Sequence, residues 1–379
     1  MEKLCFCLLL QLCVFVVAEK SILDSSAIRS PYRAYRRYLA NNYDGRSAEV
    51  PESVHRLRPG DIDVIAAMGD SLIAGFGMTS VNILDLAVEN RGIVATIGGQ
   101  ATWRKYLTLP NILKEYNPNL IGYAYDDSIS IDPAAGLNVA ETGAMSRDMP
   151  YMARHLVNKM RNDSSIDVNK HWKLITLMIG CNDFCGNMCT APCPWSILKS
   201  HRNDLISALR ILRDNLPRTL VFLATPPHMK EAVATRKGRD SMWTCYLSSM
   251  IFCPCMFASK YADQRSIYYE VIERWQYMEE EITNYPEFNT NDFTIVFVPV
   301  LKHTTIPLAE DNLVDLSYFA NDYFHFNQRA HAIIANNLWN NMLEPIGNKS
   351  EACQFNTFEK FLCPTSERPF LVTRGNSET

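Results

Sequence analysis

The chain has little to hold it in a membrane or on a nucleic acid. Its one extended apolar run, residues 4–17, is broken only by Gln11 and is too short to cross a bilayer comfortably. No later stretch is long and apolar enough to span one, and the tail after Cys363 is polar. The 37 Lys and Arg against 41 Asp and Glu leave a formal net charge of -4, and no basic patch stands out, which argues against a nucleic-acid partner. Gly/Ser linkers, internal repeats and low-complexity tracts are also missing, so nothing divides the chain into separate units. What is present in quantity is apolar surface: 47% of the residues are hydrophobic, enough for a sizeable core.

The early apolar run reads as a signal peptide over residues 1–18, with small or aliphatic Val16-Val17-Ala18 at the cleavage site. The expected product is secreted, or lumenal, and begins at Glu19. Cys5, Cys7 and Cys13 leave with the leader. Nine cysteines remain, an odd number, and an oxidising compartment favours pairing them. Cys181, at the end of an apolar strand, is the expected spare thiol; Cys353–Cys363 is a plausible local loop, and the other pairings stay open. A zinc knuckle on Cys185-x3-Cys189-x3-Cys193 is improbable, because the chain is expected outside the cell and has no paired second half to the motif. Asn162-Asp163-Ser164 and Asn348-Lys349-Ser350 are glycosylation acceptors that fit surface positions.

Five apolar runs have strand length: residues 64–68, 137–140, 174–179, 220–224 and 294–298. They are apolar on both faces, as buried parallel strands are. Helical patterns over residues 149–161, 194–215, 261–283 and 328–342 alternate with them. Alternation of this kind predicts right-handed βαβ units in an α/β fold, a three-layer α/β/α sandwich around a mainly five-stranded parallel sheet. Ligands then bind beyond the carboxyl ends of the strands. Ser71, Gly143 and Asn182 each follow an apolar run, so three strands deliver these residues to one rim.

Ester hydrolysis through an acyl-enzyme needs a nucleophile, a base, an orienter and an oxyanion site. Ser71, on the turn Gly69-Asp70-Ser71-Leu72, is the expected nucleophile and His325 the expected base. Asp322, three residues earlier, is close enough in sequence to fix the His325 tautomer. The backbone N–H groups of Ser71 and Gly143 and the side-chain amide of Asn182 are the expected oxyanion donors. Each residue also has a plain structural reading: Gly-Asp-Ser is a common turn, Asp322 suits a helix cap, Asn182 and Asp183 suit a turn, and Gly143 suits close packing. His228, His303 and His331 compete as bases. These donors and acceptors are all protein groups, so no metal and no cofactor is expected.

The set Gly69-Asp70-Ser71-Leu72, Gly143, Gly180-x-Asn182-Asp183 and Asp322-x-x-His325 resembles the four blocks of the SGNH, or GDSL, hydrolase superfamily. Longer strings, among them Trp172-Lys173-Leu174-Ile175-Thr176-Leu177, Phe324-His325-Phe326 and residues 338–347, resemble its phospholipase B1 branch over roughly residues 38–374. The resemblance implies a flavodoxin-like sandwich and metal-independent hydrolysis of phospholipid and lysophospholipid acyl esters. The expected boundaries are the leader over 1–18, an N-terminal helical segment packing on the core over 19–60, the hydrolase domain over 61–347, and a C-terminal extension over 348–379. Cys181 departs from the family's usual glycine, and Phe326 from the proline common after the histidine. The apolar, cysteine-rich segment 243–261 is the candidate lipid contact, through Trp243, Phe252 and Phe257, and would give a transient membrane-surface contact. Core packing is an equal reading of that segment, and core is the better reading of Trp103. An esterase on acetylated sugars or other small esters and an inactive lipid-binding or partner-binding relative are the alternative functions.

Overall fold

A computed structural model describes residues 45–238, 243–353, 355 and 360–377, with residues 243 and 244 as backbone only. Four strands, β1 (Ile62–Gly69), β2 (Trp172–Met178), β3 (Thr219–Ala224) and β4 (Phe293–Val298), form one parallel sheet in the order β1-β2-β3-β4. The expected fifth strand is present only as an isolated parallel bridge, Ala67↔Asn138, on the outer edge of β1. Ala67 donates to Leu137 O, and Val139 donates back to Ala67 O. The outward carbonyls of Asn138 and Ala140 are taken by the buried Arg91 guanidinium, at 3.1 and 2.7 Å, so a side chain replaces the ladder a further strand would offer. Counting this segment, the chain order across the sheet is 2-1-3-4-5, and β1 lies at the point where that order reverses.

The strands are buried on both faces, and their side chains alternate between two cores. Ile65, Ala67 and Leu174 face one, packed by helices α2 (Leu109–Leu113) and α9 (Gln328–Leu343). Val64, Met68, Ile175 and Leu177 face the other, packed by α3 (Met149–Asn162) and α4 (Ser196–Asn215). The buried residues of α3, Met149, Met152, Ala153, Leu156, Val157 and Met160, repeat at helical spacing, so one stripe covers the sheet. A third core of Phe184, Met188, Met256, Phe257, Ile272 and Trp275 lies under the cysteine-rich segment.

That segment folds as α6 (Trp243–Phe252) and α7 (Pro254–Phe257), after the short α5 (Met229–Ala234) and before α8 (Arg265–Thr283). Two disulfides, Cys185–Cys253 and Cys189–Cys255, fasten it to the turn that follows β2. Two of the three cysteines of the zinc-like spacing are thereby consumed. Cys181 is a buried free thiol. Cys353 and Cys363 do not pair: Cys353 N donates to Thr304 Oγ1, whereas the backbone at Leu362 is bonded to Asn340 and Trp339 of α9, so separate anchors hold the two. Residues 1–44, including the expected leader, lie outside the described residues. The described part of the expected N-terminal helical segment has only short 3₁₀ turns, Val54–Arg56 and Pro59–Asp61. Asn162 and Asn348 are both exposed. Among the described residues no helix is long and apolar enough to cross a membrane.

Candidate active site

The end of β1 is shaped by close packing. A Cβ at Gly69 would lie 2.4 Å from Met178 O of the neighbouring strand, so only glycine lets β1 and β2 stay paired to their last residues. Asp70 then caps α1 (Ser71–Ala74), its Oδ1 accepting from Leu72 N at 3.0 Å. Burial pushes the Asp70 carboxyl up to about 6. Ser71 is thus the first residue of a helix at the carboxyl end of the strand where the sheet order reverses, the position at which such sheets bind ligands.

His325 arrives from the far end of the chain on a tight loop. Ala320 N donates to His325 O and Asn327 N to Tyr318 O, and residues 319 and 326 form an antiparallel bridge. At the tip Tyr323 takes a left-handed conformation, φ 56°, a strained choice for a bulky residue. This turn brings the Asp322 carboxylate back over the loop. Its Oδ1 accepts from the backbone N–H groups of Phe324 and His325, at 2.9 and 3.0 Å, and its Oδ2 lies 2.5 Å from His325 Nδ1. A carboxylate only accepts, so Nδ1 carries the proton and Nε2 is the free acceptor. Ser71 Oγ lies 2.9 Å from Nε2 and donates to it. Burial raises the Asp322 carboxyl, but the attraction of the protonated imidazole, the His325 hydrogen bond and the two N–H donors outweigh that and hold it below the ordinary carboxylate value. Ser71 is 7% exposed, Asp322 2% and His325 5%, so the chain of bonds is shielded from bulk water.

Three aromatic rings surround the imidazole, and two of them were not singled out from the sequence. Phe76 lies 4.9 Å from the His325 ring centroid, and Phe252 and Phe324 each lie 5.2 Å away, edge to face. Phe252 of α6, a candidate lipid contact, therefore packs on the imidazole. Phe257 is buried in the third core under the Arg236 guanidinium and does not line the site, because α7 turns inward where Cys255 is bridged. The Trp243 side chain falls outside the described residues. Ser248 of α6 donates to Asp322 O, so the helix contacts the histidine loop through both a ring and a hydrogen bond.

The Gly143 and Asn182 loops meet beside β1. Glu141 N donates to Gly69 O, and Asn182 Nδ2 donates to Ala144 O at 2.9 Å. Gly143 has φ +85°, a conformation that favours glycine, and a Cβ there would meet open space. Asn182 keeps a second amide hydrogen beyond the one given to Ala144. The competing histidines are elsewhere: His331 is buried in α9 and accepts from Ala95 N, His228 caps α5, and His303 faces Glu351 at the surface. Burial lowers His331 to about 3. The Cys181 thiol, buried beside Asp70 and Asp183, is pushed well above its usual value and stays protonated. Trp103 packs on the first core, away from the site.

The model of the family described as GDSL-like Lipase/Acylhydrolase matches residues 65–338, from β1 into α9. Among curated proteins, "Phospholipase B1, membrane-associated" of Homo sapiens is 37% identical over 333 residues, covering 87% of this chain and 22% of that protein. The protein of the same name in Rattus norvegicus is 37% identical over 335 residues, and that in Mus musculus 37% over 334, each covering 88% of this chain. The chain spans 22% of the length of these relatives. The family match takes in the strand before Ser71, the loops of Gly143 and Asn182 and the histidine loop alike, and the chain belongs to the GDSL-like lipase/acylhydrolase family.

Proposed function

We propose that the protein is a carboxylic ester hydrolase that cleaves acyl esters of phospholipids and lysophospholipids through an acyl-enzyme. The observation that carries this reading is the hydrogen-bonded line from Ser71 Oγ through His325 to Asp322. Ser71 Oγ attacks the acyl carbonyl as its proton passes to His325 Nε2. The N–H groups of Ser71 and Gly143 and the Asn182 amide hold the carbonyl oxygen as it gains charge. His325 returns the proton to the leaving alcohol, and a water activated by the same nitrogen then releases the fatty acid from Ser71.

The lipid part of the reading is supported by the resemblance to proteins named phospholipase B1 and by the rim. Two segments that abut the histidine loop carry exposed aliphatic side chains. One is the loop after Phe76, whose Ser80 Oγ accepts from Asn321 N and which exposes Val81 and Leu84. The other is α6, which exposes Leu247 and Ile251. Aliphatic side chains next to the nucleophile suit transient contact with a lipid surface. The two disulfides fit a protein that works outside the cytosol.

The test is to assay purified protein and Ser71→Ala side by side on phospholipid, lysophospholipid, triacylglycerol and acetylated xylan, with serine-directed phosphonate labelling. The expected result is hydrolysis of the first two, abolished in the variant, with the label on Ser71. Full activity in the variant, or a label elsewhere, overturns the mechanism; turnover of acetylated xylan alone overturns the substrate.

A further inference from the structure

Behind the loops of Gly143 and Asn182 runs a second line of polar contacts, all of it buried. Ser146, three residues beyond Gly143, donates its N–H to Asp183 Oδ2 at 3.0 Å and its hydroxyl to the same oxygen at 3.2 Å. Asp183 is the neighbour of Asn182, so these bonds join the two loops. On its other side Ser146 Oγ meets His201 Nδ1 of α4 at 2.8 Å. The His201 ring stacks on Trp275 of α8, with centroids 3.5 Å apart. His201 Nε2 stands 3.2 Å from Glu279 Oε1, which also accepts from Trp275 Nε1 at 3.0 Å. The Nε2 contact is off the hydrogen-bond axis, and Glu279 Oε2 has no aligned partner. His201 and Glu279 are wholly buried.

The protons can be followed along this line. The single Ser146 hydroxyl hydrogen goes to Asp183, so His201 Nδ1–H donates to Ser146 Oγ and Nε2 is bare. A bare nitrogen beside a buried carboxyl is tolerable when that carboxyl keeps its proton. Burial holds Glu279 up to about 8 and pushes His201 well below its usual value, so the pair is neutral at pH 7. Burying such groups away from the substrate is costly unless they fix something in place.

The geometry points to His201 and Glu279 as positioning residues for the oxyanion donors, holding the Gly143 and Asn182 loops in register through Ser146 and Asp183. This rests on the hydrolase reading above. Oxyanion donors act only when aimed at the developing charge, and a misplacement of about 1 Å costs up to ~100-fold in rate.

The test uses a short soluble ester, so that lipid binding does not enter. His201→Leu keeps bulk and removes the bond to Ser146; its kcat should fall about tenfold to a hundredfold, with KM within about twofold of native. His201→Asn places an amide N–H where Nδ1–H was and should recover most of the kcat. In an Asn182→Ala background His201→Leu should cost less than about threefold, because both act through the same donors. Native kcat in His201→Leu, an equal loss in His201→Asn, or an undiminished loss in the Asn182→Ala background each overturns the inference. Should His201→Leu fail to fold, Ser146→Ala takes its place with the same expected loss, and native kcat there overturns the inference as well. If the unmutated protein hydrolyses no ester at all, it is the hydrolase reading that falls.

Discussion

Asp322→Asn isolates charge from geometry at the candidate site. Asparagine fills the same volume, and its carbonyl oxygen can still accept the N–H groups of Phe324 and His325, which the Asp322 Oδ1 now accepts at 2.9 and 3.0 Å. The turn at Tyr323 should therefore keep its shape. What changes is the 2.5 Å contact to His325 Nδ1. An amide NH₂ there donates, so Nδ1 must give up its proton and accept, and the proton moves to Nε2. That nitrogen then faces Ser71 Oγ as a donor and no longer takes the hydroxyl proton. The imidazolium formed during attack also loses its buried counter-charge. Where a triad carboxylate elsewhere is neutralised in this way, the loss in kcat is about 10⁴, or roughly 5.5 kcal/mol of barrier. The expected outcome is a loss of that order on a short soluble ester, with KM nearly unchanged, and an unfolding transition within a few degrees of native. Part of the rate should return at alkaline pH, where hydroxide substitutes for the missing base. A loss below about tenfold, in protein shown to be folded, would refute the role assigned to Asp322.

Two further outcomes follow from other parts of the molecule. Burial raises Glu279 from 4.5 to about 8, so between those values the folded protein holds a proton that the unfolded chain releases, and stability declines as pH rises through that window. Glu279→Gln removes this contribution and leaves those of Asp183 and Asp70, which burial raises to about 7 and about 6, so urea unfolding should find the variant more stable than native at pH 8.5 and closest to it near pH 4.5; an unchanged slope would show that Glu279 is ionised in the fold. Leu247→Ser with Ile251→Ser, on the exposed face of α6, should lower turnover of long-chain phospholipid vesicles at least about fivefold more than that of a short ester, since only the former needs the rim; equal losses would mean that α6 acts on the chemistry alone.

The parts that could be read from the sequence are those governed by short-range pattern. Residues 64–68, 174–179, 220–224 and 294–298 were legible as strands because both faces are apolar, and each lies within a residue or two of an observed strand. Residues 137–140 carry the same pattern, yet the ladder stops at one bridge, since the outward carbonyls are satisfied by Arg91, far back in the chain. Ser71, Asp322 and His325 were legible because turn and loop chemistry accompanied them. Phe257 was misassigned because an apolar residue looks alike in a core and on a rim. What separates the two here is the Cys189–Cys255 bridge, whose pairing spacing does not reveal. Ser146, His201 and Glu279 had one signal between them. His201 sits in the apolar stripe of α4 with Ile197, Leu205 and Leu212, and Glu279 in that of α8 with Ile272, Trp275 and Ile282. A charged or polar residue inside such a stripe needs a partner, but nothing local says which one.

The two disulfides give the cysteine-rich segment a more definite character than a swinging lid. Cys185 lies in the turn Asp183–Asn187, directly after Asn182, and is bonded to Cys253 at the end of α6. The same helix presses Phe252 on the His325 ring and donates from Ser248 to Asp322 O. One rigid element therefore touches the residue proposed as base, the backbone of the aspartate that orients it and the turn behind the proposed oxyanion amide. A hinge motion of α6 and α7 large enough to uncover the site would strip the aromatic edge from His325 and pull on the Asn182 loop at the same time. Met256 and Phe257 on the inner side of α7, and Ile272 beneath them, would also be exposed, at about 1.5–3 kcal/mol for each large side chain. Such an opening would disassemble the site it is meant to serve. The segment is better understood as a fixed wall, apolar on the outside where Leu247 and Ile251 are exposed and chemically engaged on the inside through Phe252 and Ser248. Phe252 of that wall packs edge to face on Phe76, with ring centroids 5.9 Å apart, so the wall and the loop after Phe76 meet beside His325 with the site already assembled.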